Sequence, residues 1–446
     1  MNKAEMNKTW FFVSLVGAVV GASLITACPG AAQNVQSDTV DLGELERRIE
    51  ALTMEIEELR LGSEVVARAD TSVAGLGPAA SKVYSVQQGV SLGGYGEFLY
   101  ENFSDSRDDG DPSGKTDQAD ALRGIIYIGY KFDDRFLFNS EIELEHATTG
   151  QAGEASLEFA YLDYRLTPGF GFRAGLLLSP MGFVNELHEP PIFLGSKRSQ
   201  TESRIIPTTW RENGLGVFGQ TDRVAYRVYL MTSLDGIGGG SSGAGGFGAS
   251  GLRGGRQKGS KAIAESFSVV GRLDWIGHLG FTGGTSLYAG DSGHGRRLSD
   301  GSSVDARTVI WEGHAEYKLR GLELAGLFAL ARIDDAAALN DLRGLIGSQS
   351  VGERLWGAYF QAGYDVLSAT SSTHQLIPFV RYEAIDTQSR VPDGFSANPA
   401  NDASIMTVGL SWKPLPQLVG KLDFQKTDNA AGSGVDQLNL SVGYLF

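Results

Sequence analysis

A single cysteine, Cys28, leaves the chain of 446 residues without an internal disulfide framework. Basic residues are the scarcer charge, 38 Lys and Arg against 53 Asp and Glu, for a net −15, and no basic stripe is present. That excludes a nucleic-acid binder, whose phosphate contacts need one. A mean hydropathy of −0.11, with no long apolar run beyond the first thirty residues or so, excludes a bundle of membrane helices. Proline is also sparse, 13 residues, while aromatics reach 10%, which is too rich in β-formers for a disordered chain. The six histidines have no metal-binding or acid–base spacing. The closest grouping, Glu312 with His314, places two side chains on one strand face, where they line a wall more readily than they bind metal. The expectation is therefore no enzyme and no cofactor. The glycine-rich stretch 236–255 lacks the strand–helix context and Lys-Ser/Thr ending of a phosphate-binding loop.

What is present is glycine, 60 residues, distributed among many short alternating runs. Lys3 and Lys8 precede an apolar stretch ending near Ala27, the pattern of a signal peptide over 1–32 with cleavage after Ala32. Ile25-Thr26-Ala27-Cys28 also fits a lipobox with an acylated Cys28, so two processing routes stand open. Leu42, Leu45, Ile49, Leu52, Ile56 and Leu59 alternate in steps of three and four, predicting a coiled-coil segment over 38–62. Glu55 and Arg60 fall at g and e positions, and self-association is expected. The a/d residues lean towards a dimer. A linker follows over 63–88.

From 89 to 446 the chain repeats one unit: about ten residues of alternating polarity, a tight turn, another such run, then a longer polar loop. This predicts an all-β fold, a transmembrane antiparallel β-barrel of about sixteen strands, with apolar side chains facing lipid and polar ones facing the lumen. Leu438, Leu440 and Val442 oppose Asn439 and Ser441; Phe267, Val269, Leu273 and Trp275 oppose Ser268, Arg272 and Asp274. Tight turns are read near residues 133, 168, 221, 277, 320, 368–372 and 414–416, and long loops at 104–119, 181–210, 235–261, 291–303, 334–351 and 387–401. Tyr130, Tyr229, Trp275, Trp356 and Trp412 are assigned to aromatic girdles, and Glu143, Arg173, Arg272 and Lys421 to the water-facing wall. Terminal Phe446, after Gly443-Tyr444-Leu445, resembles a signal for the barrel-assembly machinery.

One segment departs from this pattern. Residues 179–216 hold four prolines, dense charge and irregular spacing, and are read as a constriction loop folded into the lumen. Its Arg204-Ile205-Ile206-Pro207 and Trp210-Arg211-Glu212, with the heptad segment and Gly93 to Gly96, resemble the phosphate-selective porin O and P family, and within it the DcaP-like porins. The resemblance implies a trimeric outer-membrane porin of a Gram-negative-type bacterium that passes small anionic solutes, phosphate or dicarboxylates, by diffusion. Arg204, Arg211, Lys197 and Arg198 on the loop, with Arg173, Arg272 and Arg381 on the wall, are the candidate solute-binding residues; Arg227 belongs to the same wall. His188, Glu186, Glu189, Glu202 and Glu212 dilute that positive charge, and the arginines could instead pair with Glu383 and Asp274 to stiffen the wall. Outer-membrane lipid, a second and third copy of the chain, and the assembly machinery are the expected partners. The alternatives are a structural or adhesive anchor, or a barrel hydrolase.

Overall fold

The computed structural model describes residues 72–73, 75–147 and 153–446. The expected signal peptide and coiled-coil segment lie outside the described residues. Sixteen strands form one closed sheet. In chain order they are β1 Gly89–Phe103, β2 Gln118–Lys131, β3 Phe136–Glu145, β4 Ala155–Thr167, β5 Phe170–Leu178, β6 Arg211–Gln220, β7 Val224–Thr232 and β8 Phe267–His278. Then come β9 Phe281–Asp291, β10 Arg307–Leu319, β11 Leu322–Ile333, β12 Arg354–Tyr364, β13 Gln375–Arg390, β14 Asp402–Leu415, β15 Leu418–Asn429 and β16 Gln437–Leu445. Each pairs antiparallel with its sequence neighbours, and β1 closes on β16 in the register Tyr95 to Leu445 through Phe103 to Gln437. A short helix, α1 Ala336–Arg343, caps the loop after β11. Among the described residues no helix is long and apolar enough to cross a membrane.

Strand periodicity explains which side chain goes where. Along β16, Leu438, Leu440 and Val442 are 39%, 50% and 53% exposed on the outside, whereas Asn439 and Ser441 are 0% and 2% exposed inside. The same alternation on every strand leaves an outward apolar belt, the exterior of a transmembrane barrel, because charge turned into hydrocarbon would cost about 2–4 kcal/mol per basic residue at mid-depth. The belt ends where the outer face becomes ionic, at Arg332 with Asp334 and Lys426 with Asp428.

The closing seam accounts for the glycines of the first strand. A Cβ on Gly96 would lie 2.5 Å from the Tyr444 hydroxyl, and one on Gly94 2.7 Å from the Phe446 ring. Both aromatics of the last strand therefore lie flat over β1, while Tyr95 between the two glycines points inward and is 1% exposed.

Three features depart from the sequence reading. Two further long connections, residues 146–154 and 430–436, complete the long-loop end. The turn placed at Gly277 sits at Leu279-Gly280, because β8 runs on to His278. Most importantly, the inner face of β1–β5 is not uniformly polar. Ile125, Tyr127, Leu137, Phe159 and Tyr161 are buried there, together with Leu76, Ala79, Ala80 and Val83 of the segment that precedes β1. The end of the presumed linker is thus built into the lumen. Asn139 Nδ2 donates to Ala80 O at 2.9 Å, the Tyr84 hydroxyl donates to Asp163 at 2.7 Å, and Gly129 has no Cβ to obstruct Val83.

Candidate functional site

Residues 179–210 leave the barrel wall after β5 and cross the lumen before β6. The neck of this loop is closed by Asn185, which donates to Ser179 O (2.7 Å) and Trp210 O (3.0 Å) and accepts from Trp210 N (2.8 Å). Beyond the neck the loop is fastened to opposite walls. His188 meets Glu141 of β3 at 3.0 Å, Lys421 of β15 donates to Gly195 O at 3.0 Å, and Asp423 accepts from Ser196 N at 2.7 Å. Glu383 of β13 accepts from Gln200 N, Thr201 N and the Thr201 hydroxyl. A single π-helical turn, Thr201–Ile205, fits against β12 because Gly357 offers no side chain there. Glu202 accepts from Phe183 N, Val184 N and the Tyr359 hydroxyl, which cross-links the two arms of the loop. A loop tied at this many points is a fixed constriction.

Glu189 ties the loop to the segment before β1, accepting from Ala79 N at 3.2 Å and Ala80 N at 3.0 Å. Burial pushes its carboxyl up to about 7 from 4.5, against the lowering pull of those two N–H groups. The folded state thus binds the proton more tightly than the unfolded chain, so stability is fullest below 4.5 and falls as pH rises towards 7. Glu189→Gln keeps an acceptor oxygen and removes the charge. It should raise the thermal unfolding midpoint at pH 8 and leave it unchanged at pH 4; equal midpoints at pH 8 would show the carboxylate to be tolerated there.

The arginines singled out in the sequence divide into two sets. Arg173 is held by Asp163 (2.7 Å), and also donates to the hydroxyls of Tyr84 and Tyr229. Arg227 bridges Glu186 and Asp274, and Arg272 pairs with Asp274 at 2.8 Å and donates to Gly182 O. Arg227 and Arg272 clamp the loop to β7 and β8, whereas Arg173 ties β5 to β4, β7 and the segment before β1. Removing one partner of such a buried pair costs roughly 3–5 kcal/mol. Lys421, expected to face water, is 2% exposed, with its ammonium 3.7 Å above the Phe193 ring. Glu143, another expected water-facing residue, is likewise 2% exposed. Tyr229 faces inward rather than into an aromatic girdle, since β7 places it on the Arg173 side. His314 is buried between Glu312 and Asp274, edge-on to Phe183.

The second set lies where the loop narrows the barrel. Among the described residues, Arg198 Nη2, Arg211 Nε and Arg381 Nε are buried without a hydrogen-bond partner. Arg211 otherwise pairs with Glu158 at 2.6 Å, Lys197 with Glu101 at 2.5 Å, and Arg381 donates to Lys197 O at 3.2 Å. Arg204 is spent on the long-loop side, donating to Ser250 O and to Asn401 Oδ1. Burial, then the neighbouring Arg123 charge, lowers the pKa of Arg198, but a guanidinium remains charged at any physiological pH. Arg198 and Arg381 share the lining of a cavity between the loop and the β10–β13 wall. Ile192, Lys318 and Glu323 line both this cavity and a second one at the short-turn end. At the long-loop end a separate cleft is lined by Arg211, Arg253, Arg256 and Lys258. Arg253 and Arg256 come from the loop after β7, which the sequence reading treated only as a long loop. Both donate to Thr208 O, so they pin that loop onto the constriction.

An uncharacterized protein of Aquifex aeolicus is 37% identical to this chain over 382 residues, 84% of each. The chain belongs to that protein's family. No family model matches the sequence. Among solved structures, OmpF of Salmonella typhi in complex with daunomycin is similar with a TM-score of 0.51 at 13% identity, over 81% of this chain and 98% of that one. A loop-deletion mutant of OmpT, an outer membrane protein of Vibrio cholerae, gives 0.51 at 10% identity, over 81% and 100%. The outer membrane channel DcaP of Acinetobacter baumannii gives 0.50 at 11% identity, over 80% and 97%. At these identities the shared property is the barrel fold.

Proposed function

We propose that this protein is a porin of the bacterial outer membrane, through which small hydrophilic solutes carrying a carboxylate or phosphate group diffuse without an energy source. The observation that carries the reading is a loop fixed across a closed barrel of sixteen strands, beside a cavity lined by the guanidinium side chains of Arg198 and Arg381. Guanidinium donors left over after the loop is secured suit charge-assisted bonds to a passing anion. Arg211 and Lys197 belong to the same approach from the long-loop side, and Arg173, Arg272 and Arg204 hold the walls and loops in place. The outward apolar belt supports lipid as the surroundings of the barrel, and the heptad pattern of 38–62 supports self-association, in a homotrimer if the resemblance to trimeric porins holds.

Planar-bilayer recording under a salt gradient tests the reading. Stepwise openings with a reversal potential of anion preference are expected, in groups of three if the unit is a trimer. Folded protein that gives no channels would overturn it.

A further inference from the structure

Resting on the porin reading, we infer that the passage is adapted to amphipathic carboxylates, small monoanions with an aromatic or aliphatic body. The cavity beside the constriction has two chemically distinct sides. Phe183, Leu187, Ile192 and Phe193 of the loop, with Tyr359 of β12, line it with apolar side chains, while Arg198 and Arg381 line it with guanidinium side chains. The acids in the lining are oriented to other partners: Glu202 accepts from three donors, Glu316 pairs with Lys318 at 3.0 Å, and Glu323 lies beside the charges of Lys318 and Lys413. Among the described residues, Arg198 and Arg381 form no ion pair with any of these three acids.

Apolar side chains on a water-filled wall are costly unless something covers them, and in this loop they are held in position. Phe193 lies under the Lys421 ammonium, whose amine also donates to Gly195 O. Phe183 packs edge-on against His314 with ring centroids 4.9 Å apart. Phosphate, or a short dicarboxylate, would satisfy the arginines and leave this surface wet. A carboxylate joined to a ring or short alkyl chain satisfies both sides at once, because apolar contact area adds to the ionic attraction.

The test is block of chloride current through the full-length protein in planar bilayers at neutral pH by acetate, butyrate, hexanoate, benzoate and phosphate. The half-blocking concentration should fall along the acetate-to-hexanoate series, with benzoate on the order of tenfold below acetate, and phosphate should not exceed acetate in potency. Phe193→Ser with Leu187→Ser should abolish the gap, whereas Phe193→Leu should retain it. If the serine variant fails to fold, the wild-type series alone decides. Half-blocking concentrations that are flat or rise with apolar size overturn the inference while leaving a working anion channel, and hence the porin reading, intact. Absence of any channel overturns both.

Discussion

A chain starting at Gln87, refolded in detergent, should conduct severalfold more current per channel than the intact protein. Residues 75–86 pass through the lumen with Leu76, Ala79 and Val83 at 2%, 1% and 1% exposure, so they displace water from the β1–β5 half of the barrel. Their removal also frees Glu189 from Ala79 and Ala80 and deprives the loop of one of its supports. The same truncation should lower thermal stability, since Ile125, Leu137 and Phe159 would meet water, at about 25 cal/mol for each Å² of apolar surface exposed. Single-channel conductance and a thermal melt check both effects. Unchanged conductance would mean that solutes travel only along the β10–β13 side.

Replacing Arg198 and Arg381 together by glutamate should reverse the sign of ion selectivity. Two cations lining the cavity beside the loop become two anions, and charged side chains close to an ion's path set which sign of ion passes. Because Arg381 also donates to Lys197 O, the paired substitution by lysine serves as the control, keeping the charge while losing the fork. Reversal potentials under a salt gradient should show cation preference for the glutamate pair and anion preference for the lysine pair. A glutamate pair that still prefers anions would move the selectivity to the Arg253 and Arg256 cleft at the long-loop end.

The barrel was legible in the sequence because its determinant is local. A period of two decides the face of every strand residue, and one slip of register would turn Leu438, Leu440 and Val442 into the lumen and Asn439 and Ser441 into lipid. Turn residues such as Pro168-Gly169 and Arg320-Gly321 then separate the strands, which is enough to count them. The loop of 179–210 was visible for the opposite reason, since its four prolines break that period.

The chemistry inside the barrel was not legible in this way. Alternation assigns Arg173, Arg227, Arg272 and Arg381 alike to the interior, but it carries no information about which acid each one meets. Asp163 and Asp274 consume the first three, and the constriction loop supplies Glu186 to the set. Arg253 and Arg256 sit in a glycine-rich loop with no periodic signal at all, and reach Thr208 only because that loop folds over the constriction. Nor does any local pattern announce that residues 75–88 enter the lumen. Their small side chains and glycines read as a linker, and only the complementary glycines of β1 and β2 with the apolar inner wall reveal a packed segment. The sequence by itself determined the closed sheet, its strand number and its two faces, because these follow from nearest-neighbour periodicity. Which charges remain free in the passage was decided by the tertiary structure alone, because an ion pair depends on residues far apart in the chain meeting across the lumen.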